Sequence, residues 1–392
     1  MIKGRLSTLL LLVCTSLIWF LIGWIMHSRT VATVVSLATP ENQLIAKAQQ
    51  ALLHSQYNTS SAKDLAYGAI QGLIQQTHDP YAHLFRPPAS RAYYADLADD
   101  IGAPGLWFDI IDGKMVVIDV TPNKPAAQAG IKEGDILLGV DGTMFDDFTS
   151  GDEASILLRG PAGSTVDITV QRGEKVQNYK VARVTREIIS SSIITHEIGY
   201  IRQNLFPLHS EEQVKNHLNS LLKSQVRALI WDLRDSRGGA MSTTAATLSY
   251  FVAPNIPLYT ADFLDGQQLP FESEGNTITL DLPLVVLINN RTYSSSEMAA
   301  VALAENNRAT LIGTKTSGKG TIQDVYFLDE DHLLRMSIAK WLSPTGRWLE
   351  GQGVAPTIEV TDDSKTTEDE VLDFAVDYIQ EHWLQQVLQS VR

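Results

Sequence analysis

The chain has 392 residues, 44% hydrophobic and 19% charged, with a formal net charge of −14 at pH 7. That is enough apolar material for a substantial core, and a single core rarely grows past roughly 250–300 residues, so more than one folded unit is expected and a disordered chain is excluded. The acid excess lies entirely beyond residue 40 and argues against a nucleic-acid partner. The only cysteine, Cys14, and nine scattered histidines leave no intramolecular disulfide and no Cys/His metal spacing, so neither metal nor cofactor is expected.

In chain order, residues 1–30 open with Lys3 and Arg5, followed by an apolar run over 9–26 that contains Trp19 and Trp24. About 18–20 such residues just span a bilayer as a helix. A cleaved secretory signal and an uncleaved membrane anchor both fit. The length of the run, and the lack of a prompt small-x-small site, favour an anchor with the bulk of the chain outside the cytoplasm, periplasmic or extracellular. Residues 31–97 read as a linker and a helical arm. Apolar spacing of three to four predicts helices over 41–53 and 62–75, and His78-Asp79-Pro80-Tyr81 reads as a turn. Residues 98–186 change to short alternating β segments. There Pro125 to Ala129 reads as a short helix capped by Gly130, followed by a turn, a buried strand and an Asp141-Gly142 hairpin. Residues 187–362 alternate strand and helix, with strands over 228–233, 284–288 and 308–312, helices over 243–251 and from 294, and a β-rich stretch over 321–338. That alternation predicts a layered α/β core. Residues 363–392 read as a terminal amphipathic helix presenting Trp383, Leu384, Val387 and Leu388.

Two residues in the α/β part suggest chemistry. Ser294 follows an apolar strand and a polar turn and opens a helix, where unpaired N–H groups and the positive dipole end favour a developing oxyanion. Twenty-five residues later, Lys319 stands between Gly318 and Gly320, which allow close backbone packing around it. A lysine acts as a general base only if desolvation brings its pKa from about 10.4 toward 7. A serine and such a lysine together imply acyl transfer, most simply peptide hydrolysis. Ser294-x-x-Glu297 is equally a capping box, and a lone loop lysine is ordinarily a solvated one. Gly313-x-x-x-x-Gly318-Lys319 approaches a phosphate-binding loop, but Gly320 stands where a Ser or Thr must hold Mg²⁺, and a strand pattern follows where a helix is needed.

The run Ser294-Ser-Ser-Glu297, the step to Ser317-Gly-Lys319-Gly-Thr-Ile-Gln323, and the downstream Leu342-Ser-Pro-Thr-Gly-Arg347 and Gly351-Gln-Gly-Val-Ala-Pro356 resemble the C-terminal processing (tail-specific) serine peptidases. So do Gly68-Ala-Ile-x-Gly72-Leu with Asp79-Pro-Tyr81, Ile198-Gly-Tyr-Ile-Arg202, and Leu229-Ile-Trp-Asp232-Leu-Arg234 ahead of Gly238-Gly239, so the resemblance runs over almost the whole chain. It implies Ser294 as nucleophile, Lys319 as general base and Gln323 as support for the lysine. It implies an oxyanion hole from the amide of Ser295 and one in the Gly238-Gly239 turn, and a crotonase-like or Clp-protease-like core. Residues 98–186 resemble a PDZ domain whose Gly105-Leu106-Trp107-Phe108 loop would bind a terminal carboxylate, the peptide adding as a strand.

The partners so implied are proteins or peptides with accessible C-termini and, through the N-terminal helix, a membrane; a homo-oligomer or an adaptor stays open. Two positions depart from the family pattern. Arg291-Thr292-Tyr293 replaces small residues before the serine, and Arg237 replaces the usual proline before Gly238. Both leave room for a rival reading, a non-catalytic envelope protein that binds peptides. A Ser-His-Asp arrangement through His332, near Asp329 and Asp331, is a further alternative.

Overall fold

The computed structural model describes residues 39–384, apart from 56–59, 96–100, 147–148, 186, 196, 280, 363–365 and 367. The apolar run 9–26 lies outside the described residues; among those described, no helix is long and apolar enough to cross a membrane. The chain forms two compact units that divide between His78 and Asp79.

The first unit is a pair of helices, Pro40–Ser55 and Ala62–Gln76. Ser61 starts the second helix with a reciprocal cap, its hydroxyl accepting from the Asp64 N–H while the Asp64 carboxylate takes the Ser61 N–H. Tyr67 and Ile74 are buried, whereas Leu44, Ile45, Leu52 and Leu73 are exposed.

The second unit begins with the strand His83–Phe85, which pairs antiparallel with Leu333–Leu342. The sequence places these residues in the helical arm; their pairing joins them to the catalytic half instead. A three-residue strand carries too little periodicity to be read from sequence.

A β-domain follows. Its antiparallel sheet has six strands, five in the order Leu106–Ile111, Lys114–Val120, Ile136–Val140, Thr165–Arg172, Lys175–Ala182, with Thr143–Met144 pairing with Ile136–Val140. Val117, Leu137, Ile168 and Val170 fill its core. Gly130 closes the helix Pro125–Ala129 at φ 99°, and Asp141 and Gly142, both at positive φ, make the hairpin. Leu106–Ile111 is an edge strand, the arrangement that strand addition by a peptide needs.

The α/β core is a six-stranded sheet in the order Ile189–Thr195, Ile198–Gln203, Ala228–Asp232, Leu284–Ile288, Thr310–Gly313, Ile358–Glu359, parallel after its first pair. Alternate residues of the central strands face opposite layers. Leu229, Trp231, Val286 and Ile288 pack with the helices Glu211–Lys223, Met241–Leu248 and Ser295–Glu305. Ala228, Ile230, Val285 and Leu287 pack with Val371, Ala375 and Ile379 of the helix Glu370–Ile379. The face expected of that helix lay further on; Val387 and Leu388, and the side chains of Trp383 and Leu384, are outside the described residues. Asp232, fully buried, and Asp369, the cap of the last helix, are clasped by Arg234 at 2.7 Å and 2.6 Å. This clasp fixes the end of the strand Ala228–Asp232. In open parallel sheets sites form just beyond the carboxyl ends of strands, and here the turns leaving Asp232 and Ile288 meet.

Candidate active site

The two turns are bonded to each other along their length. Asp235 accepts from Asn289 Nδ2 at 2.9 Å and from Arg291 Nε at 2.6 Å, and Thr292 Oγ1 donates to the Leu233 carbonyl at 2.9 Å. The Tyr293 N–H donates to the Ser236 carbonyl at 2.9 Å, and Ser296 Oγ donates to Ser236 Oγ at 2.7 Å. Gly238 lies so close that a Cβ there would stand 2.7 Å from both the Ser295 nitrogen and the Tyr293 carbonyl.

Ser294 occupies the junction at φ 58°, ψ −124°, a conformation that non-glycine residues adopt only when the surroundings impose it. A strained serine on a sharp strand-to-helix turn presents its hydroxyl at the top of the sheet, the geometry of a nucleophile elbow. Ser295 is the first helical residue, so its N–H has no acceptor within the helix. Of the Gly238-Gly239 pair, the Gly238 N–H donates to Ser296 Oγ at 3.1 Å. The Gly239 N–H has no hydrogen-bond partner among the described residues, while its carbonyl accepts from Ser295 Oγ at 2.8 Å.

Glu297 links the serine to the lysine. It is fully buried and accepts four hydrogen bonds: from the N–H groups of Ser294 (2.9 Å), Gly318 (2.6 Å) and Lys319 (2.9 Å), and from Thr316 Oγ1 (2.6 Å). Burial pushes its carboxyl above the usual range and the four donors pull the other way. An ionised carboxylate has about four acceptor positions and no donor, so the hydrogen-bond count favours the charged form. From sequence Glu297 was legible only as a cap; its reach to the second segment was not.

The glycines flanking Lys319 are required by contact: a Cβ on Gly320 would meet the Glu350 nitrogen at 2.5 Å, and one on Gly318 the Gly353 nitrogen at 2.9 Å. Trp341 Nε1 donates to the Lys319 carbonyl at 2.8 Å. The amine lies between aromatic rings, with Nζ 5.1 Å from the centroids of both Tyr81 and Tyr293. Burial brings its pKa down to about 8, assisted by Arg335 and opposed by Asp152, Glu350 and Glu297. Gln323 is on the adjoining strand, but its amide nitrogen donates to Thr321 Oγ1 (2.9 Å) and Ser337 Oγ (3.1 Å), so any support it gives the lysine does not run through that nitrogen. His332 is engaged by Asp329 at 2.8 Å within its own exposed hairpin.

The β-domain reaches this site. Gly105, at φ 81°, turns the chain into the edge strand, where Leu106, Trp107 and Phe108 follow. The half-exposed ring of Trp107 lies under Arg237, 4.8 Å from its centroid to Cζ, beside the Gly238-Gly239 turn. Arg237, a departure from the family pattern in the glycine turn, is therefore in contact with Trp107 of the β-domain. Arg335, on the strand Leu333–Leu342, is bonded to Asp152 of the helix Gly151–Leu158, and Arg86 holds Asp146 through two bonds of 2.9 Å.

Known proteins share these features. The model of peptidase family S41 matches residues 197–360, and that of the PDZ domain matches residues 102–182. The chain is 31% identical over 306 residues to a carboxyl-terminal-processing protease of Picosynechococcus, covering 75% of this chain and 72% of the relative. It is 27% identical to the carboxy-terminal processing protease CtpA of Bacillus subtilis, over 80% of this chain and 67% of that one. The solved photosystem II D1 C-terminal processing protease superposes with a TM-score of 0.60 at 24% identity, over 86% of this chain and 97% of the other, a likeness of fold. With a serine at an elbow, a partly buried lysine tied to it through Glu297 and a PDZ domain alongside, the chain belongs to the carboxyl-terminal-processing proteases, serine peptidases of family S41.

Proposed function

We propose that Ser294 and Lys319 are the catalytic dyad of this serine peptidase. The observation that carries the assignment is the Glu297 carboxylate, which binds the backbone N–H of both residues and fixes one segment against the other. With its amine neutral, Lys319 takes the Ser294 hydroxyl proton as Oγ attacks the scissile carbonyl carbon. The oxyanion is received by the N–H groups of Ser295 and Gly239. When the intermediate collapses, the C–N bond breaks and the lysine's proton goes to the departing amine. Water, deprotonated by the same lysine, then attacks the acyl ester, and the carboxylate product leaves as the proton returns to Ser294.

The substrate tail adds as a strand along Leu106–Ile111, with its terminal carboxylate on the amides of the Gly105 to Phe108 loop. Gln323 lines the base through its strand position, and the core is of the crotonase/Clp-protease type. The basic-then-apolar segment over residues 1–26 supports an envelope location, with an N-terminal anchor and the catalytic part outside the cytoplasm.

The test is cleavage of a protein with an unstructured C-terminal tail, followed by product mass, using wild type, Ser294→Ala and Lys319→Ala. Turnover confined to wild type is expected; turnover by folded Lys319→Ala removes the lysine from the mechanism.

A further inference from the structure

Lys319 is held in an unusual way for a partly buried cation. Among the described residues no carboxylate comes within ion-pair distance of its amine; the groups that meet Nζ are the rings of Tyr81 and Tyr293, each 5.1 Å away. The Tyr81 ring is tied down through its hydroxyl. The Tyr81 hydroxyl donates to Glu350 Oε1 at 3.1 Å, and the other Glu350 oxygen accepts the Gly320 N–H at 2.7 Å, beside the lysine. Asp79, two residues before Tyr81, is tied to Ser337 by bonds of 2.7 Å and 3.0 Å. Tyr293 is held at its backbone, its N–H donating to the Ser236 carbonyl, and stands directly before Ser294. Tyr81 belongs to the Asp79-Pro-Tyr81 run that carries the resemblance, whereas Tyr293 occupies a place where that pattern has a small residue.

A ring face attracts an ammonium ion and exerts far less pull on a neutral amine. A carboxylate in the same place would bind the proton much more strongly and oppose the base. Two rings hold chiefly the protonated amine and oppose part of the burial effect. We propose that Tyr293, together with Tyr81, is a positioning residue for the base, an aromatic clamp that holds the Lys319 amine and sets the pH at which it begins to accept a proton. This rests on the dyad assignment above. The other charged groups facing the amine are Arg335 from the neighbouring strand, Asp152 from the PDZ helix, Glu350 from the loop beyond, and Glu297 from the helix that follows Ser294.

The experiment is the pH dependence of kcat/KM for one peptide substrate, measured on the full chain for wild type, Tyr293→Phe, Tyr293→Leu and Tyr81→Leu. Tyr293→Phe keeps the ring and is expected to keep the midpoint of the rising limb. Tyr293→Leu keeps apolar bulk but removes the ring face, and its midpoint is expected about 0.5–1 pH unit lower, as is that of Tyr81→Leu. Midpoints for Tyr293→Leu and Tyr81→Leu equal to wild type overturn the clamp. Tyr293→Trp, whose stronger ring face is expected to raise the midpoint, decides the question if the leucine variants do not fold, and an unmoved midpoint there overturns the clamp too. Lys319→Ala is run in parallel: if it retains turnover the dyad fails, and if it is inactive while the midpoints stay fixed only the clamp fails.

Discussion

The junction around Glu297 and the seam between the PDZ domain and the catalytic core both connect segments distant in sequence, but by different means. At the junction a fully buried carboxylate meets four donors, three of them backbone N–H groups, at 2.6–2.9 Å. At the seam exposed side-chain pairs, Arg237 over Trp107, Arg335 with Asp152 and Arg86 with Asp146, lie beside a buried patch in which Glu153 accepts from the Arg86 N–H at 2.9 Å and Ile156 packs with Phe85 and Leu333. Buried, saturated hydrogen bonds to a charged group are costly to break, whereas exposed ion pairs contribute about 0–1 kcal/mol and weaken with salt. Ser294 and Lys319 are therefore held against one another by saturated buried bonds alone, whereas the seam with the PDZ domain combines a buried patch with exposed pairs that salt can weaken.

The sharpest break is within the dyad. Lys319→Ala is expected to lower kcat by about 10²–10⁴-fold and Ser294→Ala by about 10⁴-fold or more, with thermal unfolding little changed. Activity should fall as pH drops through about 8, because the protonated amine cannot accept the serine proton. At pH 7 roughly a tenth of the enzyme would carry the neutral amine. A flat profile between pH 6 and 9, with chemistry rate-limiting, contradicts a lysine base.

Glu297→Gln tests the junction. An amide must turn a donor toward N–H groups, so a loss of about 1–3 kcal/mol in stability is expected, read by denaturant unfolding, together with reduced kcat. At the seam, Asp152→Asn removes a negative charge that raises the Lys319 pKa and unshields Arg335, which lowers it. The rising limb should move to lower pH by less than about half a unit, since Asp152 is half-exposed and screened. A larger effect from Asp152→Asn than from Glu297→Gln would invert the comparison.

Much of the dyad is legible in the sequence because local rules govern it: Ser294 is placed by a strand-turn-helix pattern, and Lys319 by glycines that the structure shows to be sterically required. What is not legible depends on tertiary approach. The Glu297 bonds to Gly318 and Lys319 cross more than twenty residues, while the capping pattern looks only three residues back. That the Gly238 amide donates to Ser296 follows from the meeting of two turns. Trp107 and Arg237 meet only because the PDZ domain docks where it does. In the terminal helix Val371, Ala375 and Ile379, spaced by four, fit against the sheet, whereas the face expected at Trp383, Leu384, Val387 and Leu388 lies outside the described side chains.

The central claim is that Ser294 is an activated nucleophile. It is tested most directly by intact mass of the full chain after exposure to a serine-reactive peptide phosphonate, beside Ser294→Ala and Lys319→Ala. The account predicts one adduct per wild-type chain, none on Ser294→Ala and a much slower one on Lys319→Ala. Wild type without an adduct in the presence of a tail peptide, or equal labelling of Ser294→Ala, would contradict it.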